Sequence, residues 1–258
     1  MTNLTVGNAT IAYRTEGSGP PLVLVHGAGP GSVMWDAITD RFTDRRTVVL
    51  PDLAGSDPAR DDGAPLTIEA LANQVIAVIE DLGPAPVDLL GFSLGAPTAT
   101  AAAALRPDLV RRLIPVAGFA NSEDVYLRQL MSLWLTLTGS PEGFARLGTV
   151  TSASPAFLNR IGEDGAEQLH GFMRPTDGML RQLDLVRRVD IRNLLTKIEA
   201  PTLVIGCTAD QTVPVENHRE LAKGITDSEY TELDAGHVVM MEQPDEFVRL
   251  VRDFLDRP

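Results

Sequence analysis

Short runs that are apolar on both faces alternate with segments of helical spacing along most of this chain, and that alternation restricts its fold more than any other feature. Residues 22–25 (Leu-Val-Leu-Val) and 47–50 (Thr-Val-Val-Leu) have no polar face, as expected of strands buried between two layers of helix. Residues 87–90, 113–116, 202–205 and 229–233 read as further strands. Between them, residues 67–82 carry Ile68, Leu71, Val75, Ile76 and Ile79 at helical spacing behind a capping Thr67. Helices are also predicted near residues 33–42 and over 94–105, 215–223 and 245–255. Residues 4–6 and 9–14 form a hairpin turning at Gly7-Asn8. The pattern predicts an α/β fold: a mostly parallel sheet of eight strands, flanked by helices on both faces.

One stretch breaks the alternation. Residues 121–195 show short helical patterns punctuated by Gly139-Ser140-Pro141, Ser154-Pro155, Gly162, Gly165 and Arg174-Pro175, with no buried-strand pattern among them. The economical reading is a helical lid, inserted after the sixth strand into a core made of residues 1–120 and 196–258. It would sit over the strand ends, where ligands of such sheets bind.

A chain of 258 residues is long enough for one large core. Its net charge of −13 argues against nucleic acid, which requires clustered Lys and Arg, and against an anionic membrane surface. The single Cys207 leaves no intramolecular disulfide or cysteine metal cluster. No basic segment followed by an apolar run opens the sequence, and no stretch approaches the roughly 20 apolar residues of a membrane span. The expectation is a cytoplasmic protein with a small-molecule ligand, without metal or cofactor. The oligomeric state stays open, a homodimer among the options.

Chemistry enters at Gly91-Phe92-Ser93-Leu94-Gly95, between an apolar strand and an Ala-rich helix. A nucleophile on a tight strand-to-helix turn needs small neighbours on both sides, so that the backbones can approach. Pro97 is tolerated because the first helical turn leaves its N–H groups without intrahelical partners.

With a strand leading into His26-Gly27-Ala28-Gly29, then this elbow, then Asp210, then Gly236-His237, the chain resembles the α/β-hydrolase family throughout, apart from the insertion. The resemblance implies a serine hydrolase with a Ser…Asp…His order. Ser93 would be the nucleophile and His237 its base, since a serine hydroxyl is a poor nucleophile without one. A free imidazole titrates near ~6.5 and suits that cycle. Of the other histidines, the family position of His26 shapes the loop, His170 falls in the insertion, and His218 is expected on the solvated face of a surface helix. Asp210 matches the family's acid loop. Asp234, close in sequence to His237, and Asp124, after the sixth strand, are its rivals. The oxyanion donors would be the amides of Leu94 and Ala28, with Gly29 the next choice.

The His26–Gly31 loop is similar to that of hydrolases of aromatic meta-cleavage products. Those enzymes place Asn before the nucleophile and Trp after the histidine, where this chain has Phe92 and Val238. The segment around His237, followed by Glu242-Gln243-Pro244, resembles enol-lactonases and cofactor-free esterases. The resemblance therefore implies hydrolysis of an ester or lactone of a small, partly apolar substrate through an acyl-enzyme on Ser93. Thioesters are open to the same chemistry. The alternative is a lyase, a cyclase or a C–C bond hydrolase using the same triad. Phe92, Trp134 and Val238 are candidate pocket residues. Arg128, Arg174, Arg181, Arg187 and Arg188 could meet a substrate carboxylate or simply be solvated.

Overall fold

The computed structural model describes residues 1–257. Strands β1 (Thr2–Val6) and β2 (Ala9–Gly17) form the antiparallel hairpin. They are followed by β3 (Pro21–Val25), β4 (Thr47–Asp52), β5 (Val87–Phe92), β6 (Val110–Val116), β7 (Thr202–Cys207) and β8 (Ser228–Leu233). The sheet runs β1-β2-β4-β3-β5-β6-β7-β8, with every pairing from β4 onward parallel. All eight strands are thus where the sequence puts them. Several run longer than the hydropathy pattern, because Gly91, Gly206 and Arg112 belong to ladders that their side chains do not advertise, and Arg111 sits at a register irregularity within β6.

Alternate residues of one strand feed opposite faces. Val23 and Val25 join a core with helices α2 (Ile68–Asp81) and α3 (Gly95–Leu105), while Leu22 and Leu24 join another with α11 (Pro244–Leu255). Thr67 caps α2, its side chain accepting from the Ala70 amide. The predicted helix over 33–42 is shorter than expected: a 3₁₀ turn over Gly31–Trp35 leads into a single turn, α1 (Asp36–Thr39). The Asp52 carboxylate explains the difference, since it takes both the amide and the hydroxyl of Ser32 and ties this loop to the end of β4.

Between β6 and β7 lie five helices: α4 (Val125–Thr136), α5 (Pro141–Ser152), α6 (Pro155–His170), α7 (Asp177–Val186) and α8 (Arg192–Leu195). Two of the sequence breakers turn out to be helix starts. Pro141 and Pro155 open α5 and α6, behind Ser140 and Ser154 as caps. Gly162, at φ 69°, kinks α6. Backbone bonds from Ser122 N to Val189 O (2.9 Å) and from Ile191 N to Ala120 O (2.9 Å) draw the ends of the insertion together. Helices α9 (Val215–Gly224) and α10 (Val239–Glu242) complete the chain. Among the described residues no helix is long and apolar enough to cross a membrane.

Candidate active site

Ser93 follows the last residue of β5 at φ 54°, in the left-handed region, with its amide bonded to Val116 O on β6 at 3.0 Å. A serine held there is strained, and the surrounding packing over-determines it. The flanking glycines are sterically required. A Cβ on Gly91 would overlap the Gly95 carbonyl, and one on Gly95 would overlap the Val25 carbonyl and lie 2.5 Å from that of His26.

His237 lies in the loop between β8 and α10, and Asp210 in the loop after β7. His237 Nε2 is 2.8 Å from Ser93 Oγ, and Nδ1 is 2.7 Å from Asp210 Oδ2. The other carboxylate oxygen, Oδ1, accepts from the amides of Thr212 and Val213, both at 2.8 Å. Facing a carboxylate, Nδ1 carries the proton, which leaves the Nε2 lone pair directed at the Ser93 hydroxyl. The rival carboxylates are occupied elsewhere. Asp124 caps α4 and accepts from Asn217 Nδ2 at 3.2 Å; Asp234 is exposed and accepts from Thr208 Oγ1 at 3.0 Å.

The model of one protein family, described as the alpha/beta hydrolase family, matches residues 22–250. The chain belongs to that family. As a hydrolase, it has curated relatives over nearly its whole length. It is 38% identical to the pyrrolizixenacetamide deacetylase of Xenorhabdus hominickii, across 99% of this chain and 98% of that one. It is 27% identical to a protein of Azorhizobium caulinodans named for carbamate hydrolysis, RutD, across 96% of both. Among solved structures, it resembles the enol-lactonase of Burkholderia xenovorans with TM-score 0.89 and 23% identity, over 99% of this chain and 100% of that one. At that identity the likeness concerns the fold.

Two of the hydrolase's other histidines are fixed by the backbone. His26 donates from Nδ1 to Gly27 O (2.7 Å) and accepts at Nε2 from Leu53 N (3.1 Å), so it braces the loop, and burial pushes its pKa down. His218 corrects the sequence reading. It is fully buried rather than solvated, accepts at Nδ1 from the Cys207 amide (3.2 Å), and has Nε2 3.6 Å from Asp210 Oδ2. Burial lowers its pKa to about 4. The sequence held a signal for this: His218, Leu221 and Ala222 share one face of α9. His170 ends α6 within the insertion.

The oxyanion candidates separate. The Gly29 amide donates to Gln182 Oε1 at 2.8 Å and is therefore committed, which removes Gly29 as a donor. The amides of Ala28 and Leu94 make no such bond among the described residues, and both residues sit beside the elbow: Ala28 lines the Ser93 cavity, and Leu94 follows the serine. Gln182 is a second residue that the sequence reading missed. Its Nε2 also donates to Ala54 O (3.2 Å) and Ser56 Oγ (3.0 Å), so α7 grips both loops at the strand ends.

A cavity of about 80 Å³ opens on Ser93 and His237. Met34, Phe92, Phe119 and Val238 line it from the core, and Leu127, Met131, Trp134, Met179 and Leu183 from the inserted helices. The Phe92 ring lies against the His237 ring at 4.8 Å, and Trp134 Nε1 donates to Phe144 O at 3.1 Å. Among the described residues, His237 is the only ionisable side chain lining the cavity. The insertion's arginines do not reach it. Arg181 pairs with Asp61, Arg187 and Arg188 pair with Asp184, and Arg128 bonds the Glu123 carbonyl. Arg174 lines an adjoining cleft of about 940 Å³, which shares Pro30, Phe172 and Met179 with the cavity.

Proposed function

We propose that the protein is a serine hydrolase that cleaves an ester or lactone bond of a small, uncharged, largely apolar substrate through an acyl-enzyme on Ser93. The observation that carries this reading is the continuous chain from Ser93 Oγ to His237 (2.8 Å) to Asp210 (2.7 Å) beside an apolar cavity. Ser93 Oγ attacks the acyl carbonyl as its proton passes to His237 Nε2. Asp210 stabilises the resulting imidazolium, and the amides of Ala28 and Leu94 receive the charge that develops on the carbonyl oxygen. The imidazolium then protonates the leaving alkoxide. Water, deprotonated by His237, attacks the ester on Ser93 and releases the acid. The helices of residues 121–195 act as a lid that supplies the apolar roof and keeps solvent from the reacting atoms.

An amide is the second reading. It is favoured by the deacetylase at 38% identity, whose name specifies an acetamide. Amide hydrolysis uses the same steps, with His237 protonating a departing amine. The cavity supports a neutral substrate in either case, because no cation in it would meet a carboxylate.

The test is to expose the protein to a fluorophosphonate probe, then to a panel of short-chain p-nitrophenyl esters, lactones and N-acetyl amides. Labelling that Ser93→Ala abolishes, with turnover of neutral panel members, is the expected result. A wild-type protein that is neither labelled nor active on the panel would overturn the reading.

A further inference from the structure

Two imidazoles converge on one oxygen of Asp210. His237 Nδ1 lies 2.7 Å from Oδ2 on one side, and His218 Nε2 lies 3.6 Å from the same atom on another. We propose that His218 is a positioning residue for the reaction, its Nε2–H directed at Asp210 Oδ2 from behind so that the carboxylate stays aligned on His237. The inference rests on the reading of Ser93, His237 and Asp210 as the reacting set.

The direction of the His218 ring follows from its bonds. The Cys207 amide donates to Nδ1 at 3.2 Å, so Nδ1 holds no proton. A ring with no exposed surface, its pKa brought by burial to about 4, is neutral near pH 7, and its one proton therefore sits on Nε2. That N–H has no other partner among the described residues. At 3.6 Å it acts as an oriented dipole and not as a full hydrogen bond. A neutral donor suits the place. A cation there would compete with the His237 imidazolium for the carboxylate, and an apolar side chain would leave Oδ2 with a single partner.

The charged groups around this core are held elsewhere. Glu242 accepts from the amide and hydroxyl of Ser154, Asp124 caps α4, and Tyr126 donates to Gln211 O. Glu216 and Glu232 face Arg219, and burial keeps the Cys207 thiol protonated by pushing its pKa up.

Two substitutions separate positioning from a purely structural role. His218→Asn keeps an acceptor near the Nδ1 position for Cys207 and loses the distal donor. His218→Gln places a donor near the Nε2 position and weakens the bond to Cys207. Wild type is first labelled with the fluorophosphonate, and pH profiles of kcat and KM are then recorded for all three proteins.

We expect His218→Gln to keep the wild-type profile. In His218→Asn, kcat falls severalfold at unchanged KM, and the rising limb moves up by about half a pH unit, because undivided charge on Oδ2 then holds the His237 imidazolium. His218→Leu, similar in bulk, is a second donorless variant should the first fail to fold. Donorless profiles that superimpose on wild type overturn the inference, as does a reversed order in which Asn is harmless and Gln harmful. A wild-type protein unlabelled at Ser93 overturns the reading beneath it.

Discussion

Gly91 and Gly95 face each other across the elbow so closely that a Cβ on Gly91 would overlap the Gly95 carbonyl. The serine between them is held at φ 54° by this contact and by the strand next door. Gly95→Ala, which would drive a methyl group into the Val25 and His26 carbonyls, should cost about 3 kcal/mol or more. That corresponds to a Tm lower by about 6 °C or more for a domain of this size. Gly139→Ala, where an added Cβ meets nothing within 4 Å, is the control and should melt like wild type. A Gly95→Ala protein with unchanged Tm and activity would contradict the steric account of the motif.

Asp210 binds two backbone amides through Oδ1, and that fixes what an amide in its place would do. In Asp210→Asn the oxygen stays on Thr212 and Val213, so the new NH₂ points at His237 Nδ1. The imidazole must then carry its proton on Nε2, where it cannot accept one from Ser93. Turnover should fall by about 10³- to 10⁴-fold, while Asp124→Asn and Asp234→Asn stay within a few-fold of wild type. Steady-state rates on one activated ester check all three. A severe loss in either rival would reassign the acid.

Charge selectivity follows from the cavity lining. A substrate carboxylate would enter a space whose walls offer Met, Phe, Leu and Trp and no cation, at a desolvation cost that nothing there returns. A neutral ester should exceed its ω-carboxylate analogue by about a hundredfold or more in kcat/KM. Equal rates at matched leaving group would mean that an arginine of the adjoining cleft reaches in.

Gln182 connects α7 to the loop that carries Ala28, through its bond from the Gly29 amide at 2.8 Å. Truncation in Gln182→Ala leaves that donor and the Ala54 carbonyl without their protein partner, at a cost of about 1–3 kcal/mol. It also frees the loop beside Ser93, so kcat should drop severalfold with labelling of Ser93 retained. Chemical denaturation and burst kinetics test the two parts separately.

The strands were legible because burial on both faces leaves no polar position; Ser93 stood out because glycines flank it at fixed offsets, and His237 was singled out only through the family resemblance of its loop. His218 and Gln182 were not. Each is a polar residue on the buried face of an otherwise amphipathic helix, beside Leu221 and Ala222 in one case and Met179 and Leu183 in the other. For His218 polarity suggested solvent, but the partners that make burial tolerable, the Cys207 amide for His218 and the Gly29 amide for Gln182, are set by the fold and by no local pattern. The loss of Gly29 as an oxyanion donor has the same origin, since no local pattern shows that an amide is already bonded.

The buried imidazole of His218 also sets how the fold responds to acid. Its pKa is about 4 in the folded protein, against ~6.5 in an unfolded chain. Above the unfolded value both states are neutral, and the ring adds no pH dependence. Between about 6.5 and 4 the unfolded chain binds a proton that the folded one refuses, so stability falls as pH falls through that window and levels off below it. Burial shifts His26 in the same direction, and it adds to the slope. The His218 share is up to about 3 kcal/mol. Urea unfolding at pH 7 and pH 4.5 should show wild type losing more stability than His218→Asn, which has nothing to titrate at that position. Parallel losses would mean that acid sensitivity arises elsewhere, with the His218 ring protonating in the folded state as readily as in the unfolded one.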